Sequence, residues 1–137
     1  MPKRRRGSRR TARQRDARGS DFGALVERAL AGIPSPFREA LDEVAVVIAD
    51  EPSPLQRADN ELGPGDTLYG LYEGTPRIEY GADWSTAPNK ISVFRLPLEE
   101  DFPDPLDLEE EVRLTIIHEL AHHLGIDDDR LADLGLD

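Results

Sequence analysis

The sequence predicts a single domain of the mixed α/β (α+β) class, and three observations predict it. The chain has 137 residues, a length that allows one hydrophobic core of ordinary size. Apolar residues recur at helical spacing in two segments, one near each end of the chain. Short β-branched or alternating apolar runs lie between those segments, so strands are predicted between the helices.

Two helices are predicted in the first third of the chain. Ser20 or Asp21 is a candidate N-cap for a helix that extends to about Gly32. Its apolar residues recur at helical spacing and are Phe22, Leu25, Val26, Leu30 and Ile33. Ser35 and Pro36 then resemble the N-cap and first-turn proline of a short helix over residues 37–42.

Three strands are predicted in the middle of the chain. The β-branched run at residues 44–48 predicts a well-buried strand. Residues 68–72 predict a second strand, and the alternating residues 91–96, closed by Pro97, predict a third. The connections at residues 51–67 and 75–89 are rich in Pro, Gly and Asp, which is typical of loops.

The last long helix is predicted over residues 108–124. Asp107 and Glu110 have the spacing of a capping box, and Gly125 stands where a C-cap glycine ends a helix. The apolar stripe of this helix consists of Leu108, Val112, Ile116, Leu120 and Leu124. The same helix carries all three histidines of the chain, so it is the segment in which to look for chemistry.

The net charge of −11 is the sum of two opposite parts. Residues 1–20 hold nine Lys or Arg and one Asp, a charge of +8, and the other 117 residues carry −19. The basic segment has few apolar residues, so we expect residues 1–20 to form a disordered arm beside a domain of residues 21–137. Such an arm can contact phosphates of nucleic acid or anionic lipid, fold back on the acidic domain, or have no dedicated partner.

Composition excludes several classes of protein. There is no cysteine, which excludes disulfides, thiolate zinc sites and a Cys nucleophile. No run of about 18 apolar residues occurs, which excludes a membrane span. The paired arginines do not precede an unbroken apolar segment, because Glu27 and Arg28 interrupt it, so an export signal is not indicated. We therefore expect a cytoplasmic protein.

The string HELAH at residues 118–122 places two histidines four residues apart on one helix. Residues at this spacing share a face, so His118 and His122 can bind one metal ion while Glu119 reaches a water on that ion. The alternative is that these histidines are ordinary polar residues on a solvated face.

The longer pattern HExxHxxGxxD favours the metal site. Gly125 can take the left-handed conformation that returns the chain, so Asp128 can supply a third ligand. Asp127 and Asp129 flank Asp128 and could replace it as the third ligand, but the spacing of the pattern favours Asp128.

From about residue 21 onward the sequence resembles the short single-domain zincin-like metallopeptidases of actinobacteria. The segments that carry the resemblance are VAVVIADEP, LYGLYEG, ISVFR and HELAHHLGIDDDRL. The resemblance implies a minimal zincin-like fold, in which a mixed sheet of three or four strands packs on helices that include the HExxH helix. It also implies an edge strand that binds an extended peptide substrate. The first candidate for that strand is residues 91–96, and residues 68–72 are the second.

This resemblance and the chemistry of the motif together predict peptide-bond hydrolysis. One Zn²⁺ ion held by His118, His122 and Asp128 activates water and polarises the scissile carbonyl. Glu119 is then the general base that takes the proton of that water.

His123 points away from this face, so a surface or supporting role is predicted for it. Glu111 can support a ligand, although a solvated role is favoured. The further candidates for oxyanion contacts, each with packing as the favoured role, are Tyr69, Tyr72, Arg77 and Tyr80.

Two departures from larger zincins leave other functions open. The only methionine is Met1, so the Met-turn of metzincins cannot form. Only nine residues follow Asp128, which is too few for the lower subdomain that forms one wall of the cleft in larger zincins. We therefore keep a zinc-binding interaction module without catalysis as an alternative, or a site completed by a second copy or a partner. A metal-dependent RNA hydrolase is less favoured. Ribosomal-RNA maturation endonucleases share the HxxxHxxG part of the pattern, but their third ligand is histidine, whereas the third candidate ligand here is Asp128.

Overall fold

The computed structural model of the chain describes residues 4–5, 12–74 and 89–136. Within these residues the helices are α1 (Ala12–Ala31), α2 (Phe37–Ala40), α3 (Pro54–Asp59), α4 (Arg95–Asp101), α5 (Pro105–Leu124) and α6 (Asp128–Asp133). A 3-10 turn at Leu41–Glu43 follows α2 directly. The strands are β1 (Arg4–Arg5), β2 (Ala45–Ala49), β3 (Asp66–Thr67), β4 (Gly70–Glu73) and β5 (Lys90–Phe94). The predicted mixed α/β class is thus confirmed.

The main sheet has three strands in the order β2-β5-β4. Strand β2 runs parallel to β5, with Val46 opposite Ile91, and β4 runs antiparallel to β5, with Tyr72 opposite Ile91. Strand β5 is therefore central, and the prediction of residues 91–96 as the edge strand is wrong. The second candidate, residues 68–72, overlaps β4, which is an edge of this sheet. Strands β1 and β3 form a separate antiparallel pair.

Helix α5 is at the centre of the packing. It contacts α1, α2, α4 and both β4 and β5. The main cluster of buried residues joins the apolar face of α1 to α5 and to the sheet, and its members include Phe22, Leu25, Phe37, Ile91, Val93, Val112, Ile116, Ile117 and Leu120. Because the helix that carries the HELAH motif is held on several sides, the motif residues have a rigid support.

Both long helices begin earlier than the sequence predicts. Helix α1 starts at Ala12, so Ser20 and Asp21 lie inside it and neither is the N-cap. The segment before Ser20 is rich in Ala and Arg, which are strong helix formers. Helix α5 starts at Pro105, and its N-cap is Asp104 rather than Asp107. An Asp followed by a first-turn proline is a stronger start than the predicted capping box, because proline has the helical φ angle already.

Smaller elements also differ from the prediction. The predicted loop at residues 51–67 contains α3, which begins with a capping box between Ser53 and Gln56. The short helix predicted over residues 37–42 is α2 followed by the 3-10 turn, and the Ser35 hydroxyl donates to Glu39 rather than capping the helix. The third predicted strand ends at Phe94, because α4 begins at once with Pro97 in its first turn.

Strand β2 is not the well-buried strand that its sequence predicts. Val47 and Ile48 are 38% and 43% exposed. The strand is hydrogen-bonded to β5 and lies at an edge of the sheet, so neither of its faces is deeply covered. A β-branched run indicates a strand, but the position of that strand in the sheet decides whether it is buried.

Helices in the described part of the chain are too short or too polar to cross a membrane. The cytoplasmic location stays a prediction. The division into an arm of residues 1–20 and a domain of residues 21–137 also stays a prediction. Most of the connection predicted at residues 75–89 lies outside the described residues.

Candidate metal centre

The site is built at the C-terminal end of α5, where the chain reverses. Gly125 has a φ of 75°, a left-handed conformation that L side chains rarely adopt, and it ends the helix as predicted. The side chain of Asp127 accepts a hydrogen bond from the Arg130 backbone N–H at 2.9 Å and caps α6. Asp128 is consequently the first residue of α6 and lies beside the last turns of α5.

This reversal brings Asp128 to His118. The Asp128 Oδ1 atom lies 3.4 Å from His118 Nε2, although the Asp128 side chain is 78% exposed. The rings of His118 and His122 have centroids 5.3 Å apart, in an edge-to-face arrangement. The third predicted residue therefore returns to His118, the first histidine of the motif, in the way that the glycine spacing predicts.

The arrangement fits the ligand set of a catalytic zinc site. Two ligand atoms on one tetrahedral zinc ion are separated by about 3.3 Å, which is close to the distance between His118 and Asp128. Among the described residues, no three His, Asp or Glu side chains lie close enough together to hold a metal ion. The His122 side chain is 43% exposed, so it has room to rotate towards the other two. Burial lowers the pKa of His122, which favours the neutral imidazole that metals bind.

Glu119 is completely buried and lies beside His122. Its Oε1 atom accepts a hydrogen bond from the Tyr72 backbone N–H at 2.8 Å and lies 3.6 Å from His122 Nδ1. Burial raises the pKa of the Glu119 carboxyl, while His122 and the Tyr72 N–H act in the opposite direction. A carboxylate with a raised pKa is better suited to accept a proton near neutral pH.

Strand β4 can approach Glu119 closely because it begins with glycine. A Cβ atom at Gly70 would lie 2.7 Å from Thr115 Cγ2 and 3.2 Å from the Ser92 carbonyl oxygen, which is closer than atoms tolerate. At the other end of β4, Gly74 has a φ of 152° and lies against Asn89. The missing side chain at Gly70 lets the strand lie against α5, and Gly74 allows its close contact with Asn89.

A shallow cavity of about 400 Å³ opens beside His122. Its lining residues come from β4, from the end of α5 and from the following turn, and they are Tyr72, Gly74, His122, Gly125, Ile126 and Asp127. The cavity meets the candidate site at His122, so a molecule bound there would lie next to one of the three predicted ligands.

The tyrosines predicted as alternative oxyanion contacts are used elsewhere. The Tyr69 hydroxyl donates to Asp101, and its ring packs edge to face on Phe102. The Tyr72 hydroxyl contacts Asn89 Oδ1 at 3.1 Å and His123 Nδ1 at 3.0 Å. These contacts agree with the packing role that the sequence favours. Arg77 and Tyr80 lie outside the described residues.

The remaining candidates near the motif take supporting positions. His123 is completely buried and contacts Tyr72 and Glu43, so it is not a surface residue. Asp127 caps α6, and Asp129 is an exposed residue of its first turn. Glu111 is half-buried on α5. Glu43 and Asn89 were not predicted from the sequence, because no local pattern links Glu43 to His123, 80 positions later, or Asn89 to Tyr72, 17 positions earlier.

Comparisons with known proteins found one similar solved structure of note and one matching family. A conserved hypothetical protein from Thermo thermophilus is 28% identical, and the match covers 87% of this chain and 99% of that chain with a TM-score of 0.50. No curated protein matches the chain. The family model described as zincin-like metallopeptidase matches residues 41–136, which include the whole candidate site and most of the fold. Membership of such a family implies zinc binding. The chain therefore belongs to the zincin-like metallopeptidase family.

Proposed function

We propose that the protein is a zinc-dependent metallopeptidase that hydrolyses peptide bonds. The observation that carries the proposal is the 3.4 Å approach of Asp128 to His118, at the end of the helix that also holds His122 and the buried carboxylate of Glu119. Two histidines and one carboxylate leave a fourth ligand position for water, which is typical of catalytic rather than structural zinc. The family membership supports the same activity.

In this proposal His118, His122 and Asp128 hold one Zn²⁺ ion. When bound, zinc lowers the pKa of water towards about 7 and polarises a carbonyl group. Glu119 takes a proton from the attacking water and later gives it to the leaving amine. The Tyr72 backbone N–H fixes the Glu119 carboxylate at 2.8 Å, so the base has a defined position before substrate binds.

The substrate in this proposal is an extended peptide or protein segment along the outer edge of β4. Residues of an antiparallel strand point their N–H and C=O groups alternately towards and away from the neighbour. The Tyr69 carbonyl accepts from Phe94 of β5, so the backbone groups of Gly70 and Tyr72 point outwards. The Tyr72 N–H is used by Glu119, which leaves the Gly70 groups and the Tyr72 carbonyl for a substrate strand. The cavity beside His122 would then receive one substrate side chain.

The first test is hydrolysis of a mixed peptide library by wild type and Glu119→Gln. We expect the substitution to lower kcat by about 10² to 10⁴-fold, because it removes the general base, while one equivalent of zinc stays bound.

The Glu119→Gln variant should keep its fold. Because burial raises the pKa of Glu119, the ionised carboxylate weakens the folded state as pH rises through that pKa, whereas Gln is neutral at every pH. At pH 7 the zinc-free variant is thus expected to unfold at no lower urea concentration than wild type.

The second test distinguishes Asp128 from the neighbouring Asp129 as the third zinc ligand. Asp128→Ala is expected to weaken zinc binding by at least about tenfold, measured by competition with a chelator of known affinity. Asp129→Ala is the matched control, because Asp129 is an exposed residue of the same helical turn, and we expect it to bind zinc as wild type does. Equal zinc affinity of the two variants would contradict Asp128 as a ligand.

Two outcomes would favour another function. Stoichiometric zinc in wild type without hydrolysis of any peptide would favour the non-catalytic interaction module. Cleavage of RNA that is lost in Asp128→Ala but kept in Glu119→Gln would favour the RNA hydrolase, because that family does not use the glutamate.

A further inference from the structure

His123 is a buried histidine that the proposed reaction does not use. Its side chain is completely buried, and both ring nitrogens have polar neighbours. Nδ1 lies 3.0 Å from the Tyr72 hydroxyl, and Nε2 lies 3.1 Å from Glu43 Oε1 in the 3-10 turn that precedes β2. A histidine that only fills space does not need two such contacts, since apolar residues fill cores at lower cost.

The Tyr72 contact leads directly to the candidate active site. Through its hydroxyl Tyr72 contacts His123, and through its backbone N–H it donates to Glu119. His123 and Glu119 are four residues apart and lie one turn from each other on α5. Tyr72 of β4 is thus attached to α5 at two points, His123 and Glu119, and Glu119 is the predicted general base.

Strand β4 needs such an attachment because it is an edge strand. Its ladder to β5 leaves the Tyr72 N–H facing away from the sheet, so the ladder itself does not fix the distance between this N–H and Glu119. Sideways movement of β4 away from α5 would lengthen that hydrogen bond. The Tyr72 hydroxyl is on the same residue, so holding it on His123 limits this movement.

From this geometry we infer that His123 is a positioning residue for the proposed peptidase. It holds Tyr72, and through Tyr72 it keeps the β4 backbone N–H on the Glu119 carboxylate. Glu43 orients the His123 ring through its 3.1 Å contact with Nε2. The inference rests on the proposed function for its effect on activity, but its structural part concerns residues of the zinc-free chain alone.

The activity test uses variants that keep one contact at a time. His123→Leu removes both contacts, His123→Gln places its amide near the former Nε2, and His123→Asn places its amide near the former Nδ1. We expect kcat of the zinc-loaded full chain to fall about 10 to 100-fold in His123→Leu and His123→Gln, with KM changed less than about twofold. His123→Asn should recover most of kcat, because it keeps the Tyr72 contact.

Tyr72→Phe removes the other partner and gives a double-mutant test. We expect Tyr72→Phe to lower kcat at least as much as His123→Leu does, since it also removes the contact with Asn89. The double variant should be no slower than Tyr72→Phe alone, because His123 acts through the Tyr72 hydroxyl. Additive losses in the double variant, or a His123→Asn variant as slow as His123→Leu, would overturn the inference.

A measurement without activity separates this inference from the proposed function. In zinc-free protein, we expect hydrogen exchange of the Tyr72 amide, followed by NMR, to be at least about tenfold faster in His123→Leu than in wild type or His123→Asn. The control is the Phe94 amide, which donates to Tyr69 in the same sheet and should not change. Unchanged exchange at Tyr72, or equal acceleration at both amides, would overturn the inference even if wild type proves to be an active peptidase. If wild type hydrolyses no peptide, the proposed function fails and the exchange result still decides the inference.

Discussion

The two edge strands of the main sheet differ in a way that their sequences do not suggest. Strand β2 has the sequence AVVIA and is largely exposed, while β4 has the sequence GLYE and begins with two buried residues. The difference comes from what packs on each strand, because α5 contacts β4 closely and leaves β2 at the opposite edge. Hydrophobic content therefore indicates a strand, whereas the neighbouring helix decides which strand is buried.

The two edges are also held by different interactions. Strand β2 depends on its parallel ladder to β5 and, just after its end, on an ion pair between Asp50 and Arg95. Strand β4 depends on close approach at Gly70 and on the hydrogen bond from Tyr72 to Glu119. The edge that contains the candidate site is thus the more tightly packed of the two, and this difference can be tested.

The largest expected effect separates the centre of the sheet from the β2 edge. Ile91 of β5 is completely buried and Ile48 of β2 is 43% exposed. Ile91→Ala should lower the free energy of unfolding by about 2–5 kcal/mol, because it leaves a cavity in the core. Ile48→Ala should lower it by less than about 1 kcal/mol. Urea unfolding of both variants measures the difference, and similar losses would mean that β2 is covered in solution.

The next effect tests the close approach of β4 to α5. Gly70→Ala is expected to destabilise the protein by about 1–3 kcal/mol, because the new Cβ would meet Thr115 and the backbone of Ser92. Gly23→Ala in α1 is the matched control, since nothing lies within 4 Å of a Cβ at that position. The control should stabilise the protein by about 0.5–1 kcal/mol, because alanine favours helix. Stabilisation by both substitutions would contradict the close contact.

Local patterns in the sequence predict much of the site. The four-residue spacing of His118 and His122 needs only a helix, and the return of Asp128 needs only a left-handed glycine at position 125. These features depend on neighbours in the chain, so the HExxHxxGxxD pattern predicts their proximity. Whether they bind zinc stays a prediction.

Long-range contacts explain what the sequence does not predict. Glu43 meets His123 across 80 positions, and Tyr72 meets Glu119 across 47. No periodicity connects such residues, since their proximity depends on how the sheet packs on α5. The same limit applies to strand order, because an alternating pattern in residues 91–96 fits an edge strand as well as a central one.

The smallest expected effect concerns the ion pair that follows β2. Asp50 Oδ1 lies 2.9 Å from Arg95 Nη2, but the Asp50 side chain is 59% exposed, and Arg95 also pairs with buried Glu99 at 3.2 Å. Asp50→Asn therefore leaves the Arg95–Glu99 pair in place, and we expect a loss of only about 0.2–1 kcal/mol in the free energy of unfolding. The loss should shrink as salt is raised from about 0.05 to 1 M, because screening weakens exposed pairs. Glu27→Gln on the exposed side of α1 is the control and should change little. A loss above about 2 kcal/mol that does not respond to salt would mean that this edge is held by Asp50 as firmly as the other edge is held by α5.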